Sequence, residues 1–173
     1  YWRARAGTIG ALAKHYLAWK DTYPTPMKEV VDEIGVDTLH EQEKLAAGML
    51  KPEHLIDLVR NFTAYQTLSG RMVTIVARYQ QFRAVHKVIE RLRTGAPRDR
   101  ANNVPDKRSG VVWHTQGSGK SFTMVFLVRK MRTLNDLRSF KIVVVTDRTS
   151  LEDQLSETAV QAGESTTRAT SIA

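Results

Sequence analysis

The sequence contains no cysteine among its 173 residues, and it has no apolar run that approaches the ~20 residues of a membrane-spanning helix. The first absence excludes disulfides and every zinc or iron–sulfur site that cysteine would ligate. No signal-peptide pattern opens the chain either. We therefore expect a cytoplasmic protein that makes no membrane contact. Because the chain begins with Tyr1 rather than methionine, we also expect it to be part of a longer protein.

Acidic residues are the scarcer charged class, since 18 Asp and Glu stand against 26 Lys and Arg, for a net charge of +8. An excess of this size favours a polyanionic partner such as nucleic acid, although many soluble domains are simply basic. A cluster of arginines between residues 78 and 108 is also typical of a solvated helix face. Its members are Arg78, Arg83, Arg91, Arg93, Arg98, Arg100 and Arg108.

The most informative segment spans residues 110–124, where a short apolar run leads into a loop of small residues and then into an apolar helix. Gly117 and Gly119 can adopt backbone angles closed to other residues and can bring the main chain close to a phosphate. The helix that follows directs free N–H groups at the same point. Lys120 supplies a charge for the outer phosphates, and the Ser121 hydroxyl suits a nucleotide-bound Mg²⁺. This pattern predicts a nucleoside triphosphate site.

The loop departs in one position from the full phosphate-loop pattern Gly-x-x-x-x-Gly-Lys-Ser/Thr, because His114 stands where the first glycine would be. The five residues 117–121 alone would also fit a solvated turn. The apolar run before the loop and the apolar helix from Phe122 onward favour the nucleotide site. We interpret the departure as a subclass of phosphate loop.

Hydrophobic spacing predicts a mostly helical first part, with helices at 8–20, at 38–50 and from 52 to a stop near Gly70. A strand is predicted at 72–77, a helix at 79–94 that ends at Gly95, and a polar surface loop at 96–109. Large apolar positions favour a place in the core over contact with a cofactor. These positions are Tyr16, Trp19, Phe62, Phe82 and Phe126.

Strand and helix alternate in the later part, with strands predicted at 110–114 and 141–146 and helices at 119–134 and 150–161. Continuous apolar strands are typical of a parallel sheet covered on both faces, and their connections are right-handed crossovers. The predicted fold is α/β, a three-layer P-loop core with an incomplete parallel sheet, preceded by a mostly helical segment. We divide the chain into a helical linker or subdomain at 1–70, the N-terminal part of an ATP-binding domain at 71–161, and an unstructured or truncated tail at 162–173.

A second polar cluster lies at residues 78–85, at the start of the helix before the phosphate-loop strand. A glutamine amide there can donate and accept at once, which matches the N6 and N7 edge of adenine, and an arginine plane can stack on the base. The alternative is a polar helix start whose side chains face water. The phosphate loop downstream favours adenine contact.

A third cluster, Thr146-Asp147-Arg148, follows the predicted strand at 141–146, where the carboxyl end of a parallel strand would lie. Thr146 and Arg148 are suited to contact a phosphodiester backbone without reading bases. A plain strand-to-helix turn with a solvated arginine fits this segment equally well.

Together these segments resemble the superfamily 2 DNA translocases and, more narrowly, the R (motor and endonuclease) subunit of type I restriction enzymes. The most specific part is the Trp-His-Thr-x-Gly-Ser-Gly-Lys form of the loop at 113–120, in which His114 is the family's own form. The resemblance extends over residues 45–160. Its other segments are residues 49–62, 78–85 and 145–148, with Leu151 and Gln154.

The resemblance implies the start of a RecA-like motor domain, preceded by the segment that joins it to a nuclease domain. It implies that Arg78 and Gln81 form an adenine-recognition motif and that Thr146 and Arg148 belong to a DNA-tracking motif. Lys120 and Ser121 would carry the catalytic roles, and Ser121 would hold Mg²⁺ through the nucleotide. The ATP site as a whole would comprise Arg78, Gln81, Thr115, Gln116, Gly117, Ser118, Gly119, Lys120 and Ser121.

For the full-length subunit, the resemblance implies an ATP-dependent type I site-specific deoxyribonuclease that translocates duplex DNA and defends against foreign DNA. Its partners would be double-stranded DNA, a methyltransferase subunit and a specificity subunit. The sequence holds no Asp-Glu-x-His motif to orient an attacking water and no second motor domain. We therefore expect the 173 residues alone to bind ATP weakly and to hydrolyse essentially none.

Two other functions remain open. One is another superfamily 2 helicase or a type III restriction subunit, which the sequence beyond residue 173 would distinguish. The other is a non-catalytic DNA-binding module that keeps a degenerate nucleotide loop.

Overall fold

The computed structural model describes residues 5–6, 16–68, 70–147, 149–161 and 163–169. None of the helices in these ranges has the length and apolar character that a bilayer crossing requires. Two small antiparallel sheets and a set of helices make up the described fold. The elements are β1 (Arg5–Ala6), β2 (Leu17–Ala18), α1 (Met27–Ile34), α2 (Glu41–Leu45), α3 (Pro52–Asn61), β3 (Thr63–Leu68), β4 (Arg71–Val76), α4 (Tyr79–Thr94), α5 (Lys120–Thr133) and α6 (Thr149–Gln161).

The helix predicted at 8–20 is wrong where the structure describes it, and residues 8–15 lie outside the described residues. Leu17–Ala18 is an extended strand that pairs antiparallel with Arg5–Ala6. Trp19 is buried because its ring packs against Phe82, with centroids 5.7 Å apart. Trp19 matched the apolar spacing of a helix because it is a core residue, but its burial comes from this tertiary contact and not from a helix face.

Helix α1 follows Pro26, in a stretch between two predicted helices where none was predicted. Its end is set by Gly35, whose φ of 75° is left-handed and whose N–H donates to Val31 O at 2.9 Å. The predicted helix at 38–50 is confirmed, but it starts later. It begins at Glu41, where the backbone N–H of His40 donates to the Glu43 carboxylate at 2.6 Å, and it continues as a π-helical turn over Ala46–Leu50.

The helix predicted from residue 52 ends at Asn61, and residues 63–68, predicted as its continuation, form strand β3. Thr63 ends the helix by donating its hydroxyl to Leu58 O at 2.9 Å. The left-handed Gly70 (φ 76°) lies in the connection to β4, which pairs antiparallel with β3. The predicted strand at 72–77 is confirmed, although it begins and ends one residue earlier, at Arg71–Val76.

One buried cluster joins the chain on both sides of residue 70. The rings of Phe62, Phe82 and Phe126 are fully buried, with centroids 4.7 Å apart for Phe62 and Phe82 and 5.7 Å apart for Phe62 and Phe126. These three rings and Trp19 confirm the predicted core, while Tyr16 is only half-buried. The domain boundary at residue 70 stays a prediction.

The predicted helices at 79–94, 119–134 and 150–161 are confirmed by α4, α5 and α6 to within a residue or two. The predicted strands at 110–114 and 141–146 are wrong in the described structure, and the expected three-layer parallel sheet is not formed. Neither segment has regular secondary structure or pairs with another described strand, and Val111 and Val145 are each 88% exposed. A helix closes its own hydrogen bonds, whereas a strand needs a neighbour.

Candidate nucleotide site

The loop before α5 has the backbone shape that its glycines predict. Gly117 and Gly119 both adopt left-handed angles, with φ of 73° and 81°. The Ser118 N–H donates to Thr115 O at 3.3 Å and closes a tight turn. Gln116 and Gly117 are exposed at its tip. The turn therefore presents main-chain groups to solvent at the positive end of a 14-residue helix, which is the arrangement that binds a phosphate.

Lys120 is the first residue of α5, and its side chain folds back over the turn. Its ammonium donates to the carbonyl oxygen of Thr115 at 3.0 Å. The side chain is exposed, and no carboxylate of the described residues pairs with it. A phosphate oxygen is a stronger acceptor than a neutral carbonyl. The Lys120 charge is thus held beside the turn without being neutralised.

Gln81, the predicted adenine contact, is buried against the phosphate loop. Its Nε2 donates to Gly119 O at 2.9 Å and to Ser118 O at 3.4 Å, while its Oε1 accepts the backbone N–H of Arg78 at 2.8 Å. The last bond is one half of a capping arrangement at the start of α4. The structure therefore brings two predicted site segments together, with Arg78 exposed at the helix entrance. Adenine contact by Gln81 and Arg78 stays a prediction.

Hydroxyl groups flank the lysine on both sides. Ser121 is buried in the first turn of α5, and Ser118 is buried in the loop itself. The Ser118 Oγ and the His114 Nδ1 are buried without a hydrogen-bond partner among the described residues. Buried polar groups that lack a protein partner are often satisfied by a bound ion or water. A phosphate group with its Mg²⁺ fits this polar surrounding.

Acidic and histidine side chains do not gather into a metal-binding group of three or more in the described part of the chain. The predicted metal contact is therefore the Ser121 hydroxyl alone, acting on an ion that the nucleotide carries. That assignment stays a prediction.

The predicted DNA-contacting residues lie apart from the loop in sequence, and only one is described. Thr146 is half-buried, lies three residues before α6 begins, and lines a cavity of about 280 Å³ together with Val128 of α5 and Ser156 of α6. Arg148 lies outside the described residues. DNA contact by Thr146 and Arg148 stays a prediction.

A buried charge cluster behind the site was missed by the sequence reasoning. Asp57 of α3 accepts from Asn61 Nδ2 at 2.6 Å and from Lys130 Nζ of α5 at 2.7 Å, and His86 Nε2 of α4 lies 2.9 Å away. Burial alone would raise the pKa of Asp57, but these neighbours lower the pKa to about 2. Only the Asp57–Asn61 spacing of four residues was visible in the sequence, because the other partners lie on separate helices.

The sequence model of the SWI2/SNF2 ATPase family matches residues 80–173, the part that contains the phosphate loop. The chain is 34% identical over 160 residues to the type I restriction enzyme HindI endonuclease subunit of Haemophilus influenzae, a match covering 90% of this chain and 14% of that protein. No solved structure matches the chain.

Two proteins of Methanocaldococcus jannaschii are also similar, and their names designate the MjaIXP and MjaVIIIP endonuclease subunits of type I restriction enzymes. Their identities are 35% over 111 residues and 32% over 140 residues. These matches cover 64% and 79% of this chain but only 10% and 13% of the relatives. The chain therefore spans a small part of the length of its relatives.

Proposed function

Because this chain belongs to the SWI2/SNF2 ATPase family, we propose that it forms the ATP-binding part of the motor in a type I restriction enzyme endonuclease subunit. The observation that supports this proposal most strongly is the left-handed turn at Gly117 and Gly119, with the unneutralised Lys120 beside it. The homologous endonuclease subunits support the restriction context.

Each residue of the loop has a distinct task in this proposal. The main-chain N–H groups from Thr115 to Gly119 and the first turn of α5 surround the phosphates. Lys120 leaves the Thr115 carbonyl and moves to the outer phosphates, and Ser121 holds the Mg²⁺ that the nucleotide carries. Bound ATP supplies the phosphoanhydride whose hydrolysis drives the motor.

The adenine end of the nucleotide lies toward the start of α4 in this proposal. Arg78 is exposed there and is free to stack its guanidinium on a base. Gln81 holds Gly119 and Ser118 with its Nε2, while its Oε1 keeps one unused lone pair for the adenine amino group. Gln81 would thus connect the adenine end with the phosphate end.

The longer protein would use this ATPase to translocate double-stranded DNA and to cleave it. It would assemble with a methyltransferase subunit and a specificity subunit, and Thr146 and Arg148 would contact the DNA backbone. The net charge of +8 supports a polyanionic partner.

Replacement of the loop lysine tests the proposal most directly. In Lys120→Ala we expect the affinity for a fluorescent ATP analogue with Mg²⁺ to fall about 10- to 100-fold, because a charge-assisted contact contributes roughly 1.5–3 kcal/mol. Titration of the purified protein by fluorescence anisotropy measures this loss. Lys28→Ala, an exposed lysine on α1, serves as the matched control and should bind as the wild type does.

An unchanged affinity in Lys120→Ala would contradict the nucleotide site. Binding of duplex DNA by the same variant would then favour the non-catalytic module, whose loop serves no nucleotide.

A further inference from the structure

The phosphate loop is held between the starts of two helices. Helix α5 begins directly after Gly119, and Gln81 in the first turn of α4 donates to the Gly119 carbonyl at 2.9 Å. A hydrogen bond of this length is lost when its donor and acceptor separate to about 3.6 Å. The relative axial position of α4 and α5 therefore decides whether Gln81 reaches the loop.

The Asp57 carboxylate contacts both helices farther along their axes. His86, five residues after Gln81 on α4, lies 2.9 Å from its Oδ2, and Lys130, ten residues after Lys120 on α5, donates to the same oxygen at 2.7 Å. At ~1.5 Å rise per residue, these contacts lie roughly 7.5 Å and 15 Å from the loop ends of the two helices. One carboxylate thus lies within contact distance of both α4 and α5.

The surroundings make this junction stiff. The side chains of Asp57, His86 and Lys130 are only 11% to 15% exposed, so water screens the attraction little. The Phe62 ring stacks on the His86 imidazole at 15°, with centroids 5.7 Å apart. Asn61 holds the second carboxylate oxygen at 2.6 Å. Asp57 is therefore fixed in direction as well as in place.

We propose that Asp57 is a positioning residue for nucleotide binding, which holds α4 and α5 at the offset where the Gln81 amide meets the phosphate loop. The inference rests on the proposed function, because it assumes that the loop binds a nucleotide. Asp57 acts through the helices and Gln81, without touching the nucleotide. Replacement of Asp57 should weaken nucleotide binding even though the phosphate loop itself is intact.

A purely structural cluster would behave differently from a positioning one. Loss of a structural cluster lowers the melting temperature, yet the fraction of protein that stays folded binds nucleotide with its normal affinity. A positioning residue that acts through Gln81 loses its influence on affinity once Gln81 is gone. A double-mutant cycle separates the two cases.

The experiment measures the Kd of a fluorescent ATP analogue for the purified wild type, Asp57→Asn, Gln81→Ala and the double variant, at a temperature where circular dichroism shows all four folded. We expect each single variant to bind about tenfold more weakly and the double variant to match Gln81→Ala, which corresponds to a coupling of one decade. Asp136→Asn is the matched control. It removes an exposed carboxylate that pairs with Arg93 of α4 at 2.7 Å, and its affinity should equal that of the wild type.

Two results would overturn the inference: an Asp57→Asn affinity equal to the wild type, or losses that multiply in the double variant. If Asp57→Asn does not fold, Lys130→Met replaces it in the cycle. In that variant the contacts of His86 and Asn61 with the Asp57 carboxylate remain. The same two results, an unchanged affinity or losses that multiply, would overturn the inference. Restoration of affinity by Asp57→Glu supports the positioning role. Loss of affinity in Lys120→Ala, measured in parallel, shows that the nucleotide site itself is real, so the two proposals fail separately.

Discussion

At the scale of single residues, Gly48 shows how closely the first part of the chain approaches the core. A Cβ at this position would lie 2.1 Å from the Asp21 carbonyl oxygen and 2.4 Å from the Trp19 Nε1. Both distances are shorter than any real carbon contact. Because the obstacles are a main-chain oxygen and a buried indole, they have little room to move.

We expect Gly48→Ala to lower the free energy of unfolding by about 1–3 kcal/mol, the usual cost of an overpacked core. Urea unfolding followed by circular dichroism measures the change. Gly110→Ala is the control, since its added Cβ meets nothing within 4 Å. Equal stability of the two variants would show that the Trp19 segment is free to shift.

Two separate structural features favour glycine at position 119, next to Lys120. Gly119 has a left-handed φ of 81°, and a Cβ there would lie 2.8 Å from the Gln81 Nε2. The left-handed angle was predicted, because such angles are the common reason for glycine in a loop of this kind. The close approach of Gln81 was not predicted, since it depends on the position of a different helix.

At the scale of elements, α3, α4 and α5 meet at the Asp57 carboxylate. The pKa of Asp57 is lowered to about 2 from its ordinary 3.8: burial would raise it, but the contacts with His86, Asn61 and Lys130 outweigh burial. A carboxyl whose folded pKa is depressed contributes stability that is present above its unfolded pKa and is lost as the pH falls through its folded pKa. The affected window lies between pH 3.8 and about 2.

We expect Asp57→Asn to be less stable than the wild type at neutral pH, with about 2 kcal/mol of the difference disappearing as the pH falls from 4 to 2. Denaturant unfolding of both proteins across this range measures the effect. In the exposed Asp136→Asn control the gap between variant and wild type should change much less, because solvent screens that pair. A gap for Asp57→Asn that stays constant from pH 4 to 2 would contradict the linkage.

Among the elements, the three helices from residue 79 onward were predicted best, whereas α1 was missed. Helices α4, α5 and α6 follow from apolar spacing and from stop signals such as Gly95. Strand β3 was missed, because residues 63–68 show no regular apolar alternation that would distinguish a strand from a continuation of the preceding helix. The segments 110–114 and 141–146 have the composition of strands, but pairing requires a neighbouring strand that the described residues do not supply.

At the scale of the whole molecule, the resemblance to type I restriction subunits is confirmed by the relatives at 32% to 35% identity. The match covers 10% to 14% of each of these proteins. Translocation and cleavage therefore belong to a longer chain in our proposal. The described part of the chain holds the glycine-rich loop before α5 together with a core that also includes the segment before it.

We expect the 173-residue chain by itself to release no phosphate above background, with or without duplex DNA. The sequence lacks an Asp-Glu-x-His motif to orient water, and it lacks the arginine that a second motor domain supplies. A coupled phosphate-release assay checks this, with Lys120→Ala defining the background rate. Repeated DNA-stimulated turnovers above that rate would contradict the expectation.

The sequence by itself indicated the left-handed turn at Gly117 and Gly119, the helices that flank it and the family, because glycine placement, apolar spacing and a lysine after Gly119 are properties of one continuous segment. Only the tertiary structure decided which residues support that loop. Gln81 and Gly119 lie 38 residues apart, and Asp57 and Lys130 lie 73 apart. Such contacts depend on the axial offset and direction of packed helices, and the residue pattern of any single helix does not encode either quantity.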